Sequence, residues 1–271
     1  MSAIVTLPLV LIVVLVELAA GGAFLAWFLD RRGQAPGGFL KLVTGVNMVA
    51  AAAAVGLVPV IIPRELQERL GLDAGPLGSL GQALVVFLVL TVIQFVLTFV
   101  PNKQLRGVAG IMTVAVGVAA LEIAAIARPT PAPFDLFGLV ALPLGALALG
   151  GSNAAMLLGH WYLVTPKLSP GPLQTAALAV VAAVILQLAV VAIALARGDL
   201  TGASGQIGLT VAVGIRIGVG LVMTLGVALA AWWTARMNTQ SSTGLLYVGL
   251  GTTIAGEISA RVLFFLTGAV V

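Results

Sequence analysis

Apolar runs of about twenty residues or more recur along this chain, and no other feature limits its fold so strongly. They lie at about residues 3–29, 39–62, 80–100, 105–127, 135–164, 173–196, 207–235 and 244–270. A run of roughly 20 apolar residues makes a helix long enough to cross the hydrocarbon core of a bilayer, and in lipid only a helix or a closed barrel satisfies its own backbone. Proline and glycine punctuate nearly every connection, as in DRRGQAPGGF, PNKQ, ARPTPAPF, TPKLSPGP and ARGDLTGASGQ, which is how helices end. The expected fold is all-α, a polytopic bundle of eight transmembrane helices forming one integral membrane domain over residues 1–271.

Composition removes the alternatives. With 61% hydrophobic and 8% charged residues and a mean hydropathy of +1.18, the chain lacks the polar surface that would keep it in water. It has no cysteine, which removes disulfides, thiolate metal sites and any iron–sulfur cluster held by this chain. A pI near 10.1 does not point to nucleic acid, because the 13 Lys and Arg are scattered over loops and helix ends. The first run is longer than the apolar core of a signal peptide and has no basic leading flank, so it is expected to stay as the first span. Between the second and third runs, PRELQERLGLDAGPLGS fits a short interfacial helix or a plain loop.

Orientation follows from basic residues in short loops. Connections 1–2, 3–4, 5–6 and 7–8 hold Arg31, Arg32, Lys41, Lys103, Arg106, Lys167 and Arg236 against one acid, Asp30. The opposite set holds Arg64, Arg69, Arg128 and Arg197 with Glu65, Glu68, Asp73, Asp135 and Asp199. The basic loops are expected in the cytoplasm and both termini outside, in the inner membrane of the cell. Trp27, Trp161, Tyr162, Trp232, Trp233 and Tyr247 all fall at the basic level. They form either a one-sided aromatic belt or an aromatic-lined pocket around the only histidine, His160.

Ionisable groups at membrane depth cost roughly 2.5 to 3.5 kcal/mol each, so they demand partners or a function. Six stand out: Glu17 in span 1, Glu122 in span 4, His160 in span 5, Arg216 in span 7, and Glu257 with Arg261 in span 8. The amides Asn47, Gln94, Asn153 and Gln187 lie at similar depth. At about 1.5 Å per residue, Arg216 and Arg261 share a level about 14 Å from the outer surface. Glu257 precedes Arg261 by one helical turn, in the favourable acid-first order. A cluster of Arg216, Glu257 and Arg261 is therefore expected, with Glu122 as its second carboxylate. Such a cluster serves as a buried ion-pair network fixing helix register, as a site for an anionic or carbonyl headgroup, or as part of a proton path.

The stretch Leu142 to Pro166, LPLGALALGGSNAAMLLGHWYLVTP, carries Pro143 and the polar break Gly150-Gly151-Ser152-Asn153 ahead of His160. Span 5 is expected to be broken there. Small residues repeat at four-residue spacing in Gly214–Gly218 and Gly151–Ala155–Gly159, which favours close helix packing. One histidine excludes bis-histidine haem, and no haem is expected. No HxxxH, ExxH, GxSxG, HExxH, P-loop or dinucleotide pattern occurs, so no metal site or nucleotide chemistry is expected. No inverted or parallel repeat is legible between spans 1–4 and 5–8.

The VELAAGGAF segment from Val16 to Phe24 and the AGEISARVLFF segment from Ala255 to Phe265, set in eight spans with outward termini, resemble the membrane anchor subunits of dimethylsulfoxide-reductase-type and polysulfide-reductase-like complexes. GHWYLVTP in span 5 has no counterpart in that family. The resemblance implies a quinone-interacting subunit of a respiratory-chain oxidoreductase, which carries no redox cofactor and passes electrons to or from an iron–sulfur or other redox subunit. Quinone, menaquinone or ubiquinone, would sit among polar residues near one surface. Candidates to bind it are His160, Trp161, Tyr247, Asn153, Arg216 and Arg261; candidates for proton transfer are Glu257, Glu122 and Glu17. The alternative is a secondary or proton-coupled transporter with a midplane site at the broken centre of span 5.

Overall fold

In a computed structural model, residues 3–61, 74–126, 136–165, 168–198 and 207–271 are described. Among them run eight helices long and apolar enough to cross a membrane. These are α1 (Ala3–Arg31), α2 (Gly37–Ile61), α3 (Ala74–Leu97), α4 (Lys103–Ile126), α5 (Leu136–Val164), α6 (Gly171–Arg197), α7 (Ile207–Thr234) and α8 (Thr239–Thr267). The chain is an all-α, eight-helix membrane bundle. Most of the PRELQERLGLDAGPLGS segment lies outside the described residues, as do Lys167 and the charged residues of 127–135 and 199–206.

Helix ends differ from the sequence expectation where polar caps act. The third helix starts at Ala74 rather than near residue 80, with Pro76 in its first turn, where a missing N–H costs nothing. It ends at Leu97 rather than near residue 100, passing into a turn in which the N–H groups of Thr98, Phe99 and Val100 donate to carbonyls three residues back. The last helix starts at Thr239, not 244, because the Asn238 side chain accepts from the N–H groups of Gln240 and Ser241 at 2.9 and 3.1 Å. It stops at Thr267, where Gly268 turns left-handed at φ 75°.

Two expectations are corrected, one about helix regularity and one about close packing. The fifth helix is continuous through Pro143 and through Gly150-Gly151-Ser152-Asn153. Its glycines serve contact instead: Gly150 lies against the Gly21–Gly22 backbone of α1, with no room for a Cβ on either side. The irregular helix is α7, which is α-helical over Ile207–Gly214, π-helical over Ile215–Met223 and α-helical again over Thr224–Thr234. The Gly214–Gly218 pair faces open space. Close approach on α7 is made by Gly220, which meets Gly256 of α8 backbone to backbone.

The first and fifth helices form the centre: 78% of the apolar stretch of each is buried, against 28% for α3. Around them the packing repeats. In the first half α1 packs on α2, α2 on α3, α3 on α4 and α4 on α1; α5 to α8 close the same ring in the same order. The halves join chiefly through α1 and α5, with α1 also on α8 and α5 on α4. One order of helix contacts therefore serves both halves. Its sequence trace is short: Thr98, Asn102 and Gln104 answer Thr234, Asn238 and Gln240. Asn102 caps α4 by accepting from Gln104 and Leu105 N–H at 3.0 Å, as Asn238 caps α8.

Candidate functional site

The buried charges gather at the interface of the halves. Glu257 is fully buried on α8. Its Oε1 accepts from Arg216 Nη1 at 2.8 Å and from Gln187 Nε2 at 2.7 Å, and its Oε2 accepts from Arg261 Nη2 at 3.0 Å. The π-helical stretch presents Arg216, and one turn of α8 separates the carboxylate from Arg261. The second carboxylate is Glu17 of α1, not Glu122. Its Oε1 lies 3.0 Å from Arg261 Nε, but at an angle that makes no hydrogen bond, and neither Glu17 oxygen accepts one from the protein. Two arginines and two glutamates balance in charge.

Room for this network comes from Gly145 of α5. A Cβ there would stand 2.7 to 2.8 Å from Glu17 Oε1, Arg261 Nη2 and Glu257 Oε2. Five helices thus meet at one neutral polar knot, closed by side chains on every side named. Glu122 is half-buried on α4, has an oxygen with no partner and joins no ion pair among the described residues. Below the knot Ser152 Oγ and Thr253 Oγ1 are 3.1 Å apart, and the neighbouring Asn153 is buried with its amide nitrogen unpartnered. Asn47 packs on Gly22 of α1; with its amide oriented to satisfy both atoms, it accepts from Ala23 N–H at 3.0 Å.

At the basic end of the bundle, His160 and Tyr247 are brought together. Tyr247 Oη and His160 Nδ1 are 2.8 Å apart, their rings edge to face with centroids 6.4 Å apart. Both are exposed, Tyr247 by 46%. The bond fixes Nδ1 and leaves Nε2 for another partner. No aromatic pocket surrounds the histidine: among the described residues Tyr247 is its one ring neighbour. Trp161 lies on Gly38 of α2, Trp27 on Gly110 of α4, and Trp232 and Trp233 sandwich against Arg236. Glycines opposite Trp27 and Trp161 draw those two indoles onto helices rather than toward the imidazole.

The same end holds an ion pair that sequence reasoning missed. Asp30 of α1 accepts from Arg106 Nε and Nη2 of α4 at 3.0 and 3.1 Å. Its signal was present, since Asp30 is the one acid among the basic loops. Arg106 also donates to the Val100 carbonyl at 3.0 Å. Among the described residues no group of three His, Asp or Glu side chains is placed to hold a metal ion.

The fold and these sites define a multi-pass membrane protein with a neutral buried charge knot and a histidine–tyrosine pair near one surface. The chain matches no protein-family model, no curated protein and no solved structure.

Proposed function

We propose that this protein is a quinone-interacting membrane subunit of an oxidoreductase, exchanging electrons with a redox centre carried by a partner chain. The observation that carries this reading is the His160–Tyr247 hydrogen bond, exposed at the end of the helices where a lipid-soluble ring can arrive from the bilayer. A bound quinol would supply two electrons and two protons. His160 Nε2 accepts one hydroxyl proton when Nδ1–H donates to the tyrosine oxygen, the second leaving to water at this exposed end, and donates to a carbonyl when Tyr247 O–H donates to Nδ1. One pair of side chains therefore serves both states of the ligand, with the tautomer set by tyrosine. Arg216 and Arg261 are engaged by carboxylates, which argues against their holding a ligand carbonyl.

The carboxylates divide by their contacts. Glu257 accepts from three donors and acts as the structural anchor of the knot, whereas Glu17 keeps oxygens with no hydrogen bond from the protein and is the better proton carrier. The test uses the protein purified from membranes with whatever co-purifies. His160→Ala should lower quinol oxidation about 100-fold or more, the usual weight of a positioned acid–base group, with the complex intact. Tyr247→Phe should lose less. Unchanged turnover in His160→Ala would refute the assignment.

One observation favours a second reading, a secondary transporter: the halves share one order of helix contacts, as the repeated halves of transporters do. The continuous α5 removes the broken-helix site on which that reading stood. Uptake of a solute by proteoliposomes holding this chain alone would select it.

A further inference from the structure

We propose that the seam between α1 and α4 at the basic end is a binding site for one anionic phospholipid, a site that goes beyond the quinone reading and does not depend on it. A groove of about 440 Å³ runs there, lined by Trp27, Arg31, Gln104, Gly107, Val108 and Ile111. It exists because two α1 side chains one turn apart lie on two α4 glycines. Trp27 rests on Gly110 and the Arg31 side chain on Gly107, where a Cβ would stand 3.1 Å from Nη1. The groove is amphipathic along its length. Val108 is 61% and Ile111 44% exposed, forming with Trp27 an apolar wall toward lipid, while Arg31 and Gln104 stand at the end where headgroups lie.

Charge selects the occupant. Asp30 is the one acid at this end among the described residues, and Arg106 takes both of its oxygens. Arg31 therefore has no carboxylate partner among the described residues, and neither has Lys103, whose Nζ lies near Gly33 in the same corner. Arg32 is turned onto the Phe28 ring at 4.6 Å. A guanidinium at headgroup depth, with an amide beside it and an apolar trough below, matches a phosphate diester with an acyl chain attached. Arginine suits this role because its planar fork pairs with phosphate oxygens.

The full chain, purified in a neutral detergent and stripped of lipid, would be titrated with phosphatidylglycerol and phosphatidylcholine of the same chains, binding being read by native mass spectrometry. Phosphatidylglycerol should bind more tightly. Arg31→Gln should weaken it about fivefold, the equivalent of about 1 kcal/mol for one basic side chain at an anionic surface, and leave phosphatidylcholine unchanged. Ile111→Trp, which fills the trough from its lipid side, should weaken phosphatidylglycerol with Arg31 intact. Brominated chains should quench tryptophan emission in the native protein and quench less in Trp27→Phe. Equal binding of the two lipids, no effect of Arg31→Gln, full displacement by millimolar inorganic phosphate, or a dimer that covers the groove would each overturn the proposal.

Discussion

At the scale of residues, the knot around Glu257 is a set of unequal partners. Glu257 accepts one hydrogen bond each from Arg216, Gln187 and Arg261, whereas Glu17 meets Arg261 alone, in a bent ion pair. Removing one member of a buried pair leaves an uncompensated charge in low dielectric, at a cost of about 3–5 kcal/mol. Glu257→Gln strands Arg216 outright and leaves Arg261 to Glu17, so it should incur about that loss. Glu17→Gln keeps every hydrogen bond of the knot and should cost clearly less, about 1–3 kcal/mol. Thermal unfolding in detergent orders the two variants, and a Glu17→Gln midpoint at or below that of Glu257→Gln would sink this account. The three-residue part of the knot was legible in the sequence, because one helical turn ties Glu257 to Arg261 and depth ties Arg216 to both. Its fourth charge was not, since depth cannot say which helix lies opposite, and it is the packing of α1 on α5 and α8 that brings Glu17 there.

Elements show why some spacing signals held and others misled. A glycine packs helices only where it faces one, and a four-residue interval does not report direction. Gly214 and Gly218 share an interval and face open space, while Gly220 and Gly256 meet backbone to backbone. The π-helical stretch explains the difference: five-residue bonding in Ile215–Met223 alters the angle per residue, so faces drawn with 3.6 residues per turn drift through α7. Gly150 misled in another way, being read as a break when it is the contact that lets α1 approach α5. The expected outcome separates the two glycine pairs. Gly220→Ala and Gly256→Ala force α7 and α8 apart and should cost at least the 1–3 kcal/mol typical of overpacking, whereas Gly214→Ala and Gly218→Ala should match the parent or gain slightly in helix propensity. Equal midpoints for all four variants would contradict the packing described.

For the whole molecule, eight spans were readable because length and apolarity are properties of the chain alone. The contact order shared by the halves was not, because it resides in which helices touch and leaves only a Thr–Asn–Gln echo around the starts of α4 and α8. One end of the bundle gathers Arg31, Arg32, Lys41, Lys103 and Arg236 beside a single paired acid, Asp30, together with every Trp and both Tyr residues. Basic loops stay on the cytoplasmic side, so this end, with the His160–Tyr247 pair and the lipid groove, should face the cytoplasm. A chain without cysteine permits a direct measurement. A single cysteine at exposed Gln104, beside the basic groove, should resist a membrane-impermeant thiol reagent in intact cells and react after the cells are opened. One at Ile207, 85% exposed at the other end, should react in intact cells. The reverse pattern would invert the protein in its membrane and place the His160–Tyr247 pair on the outer side.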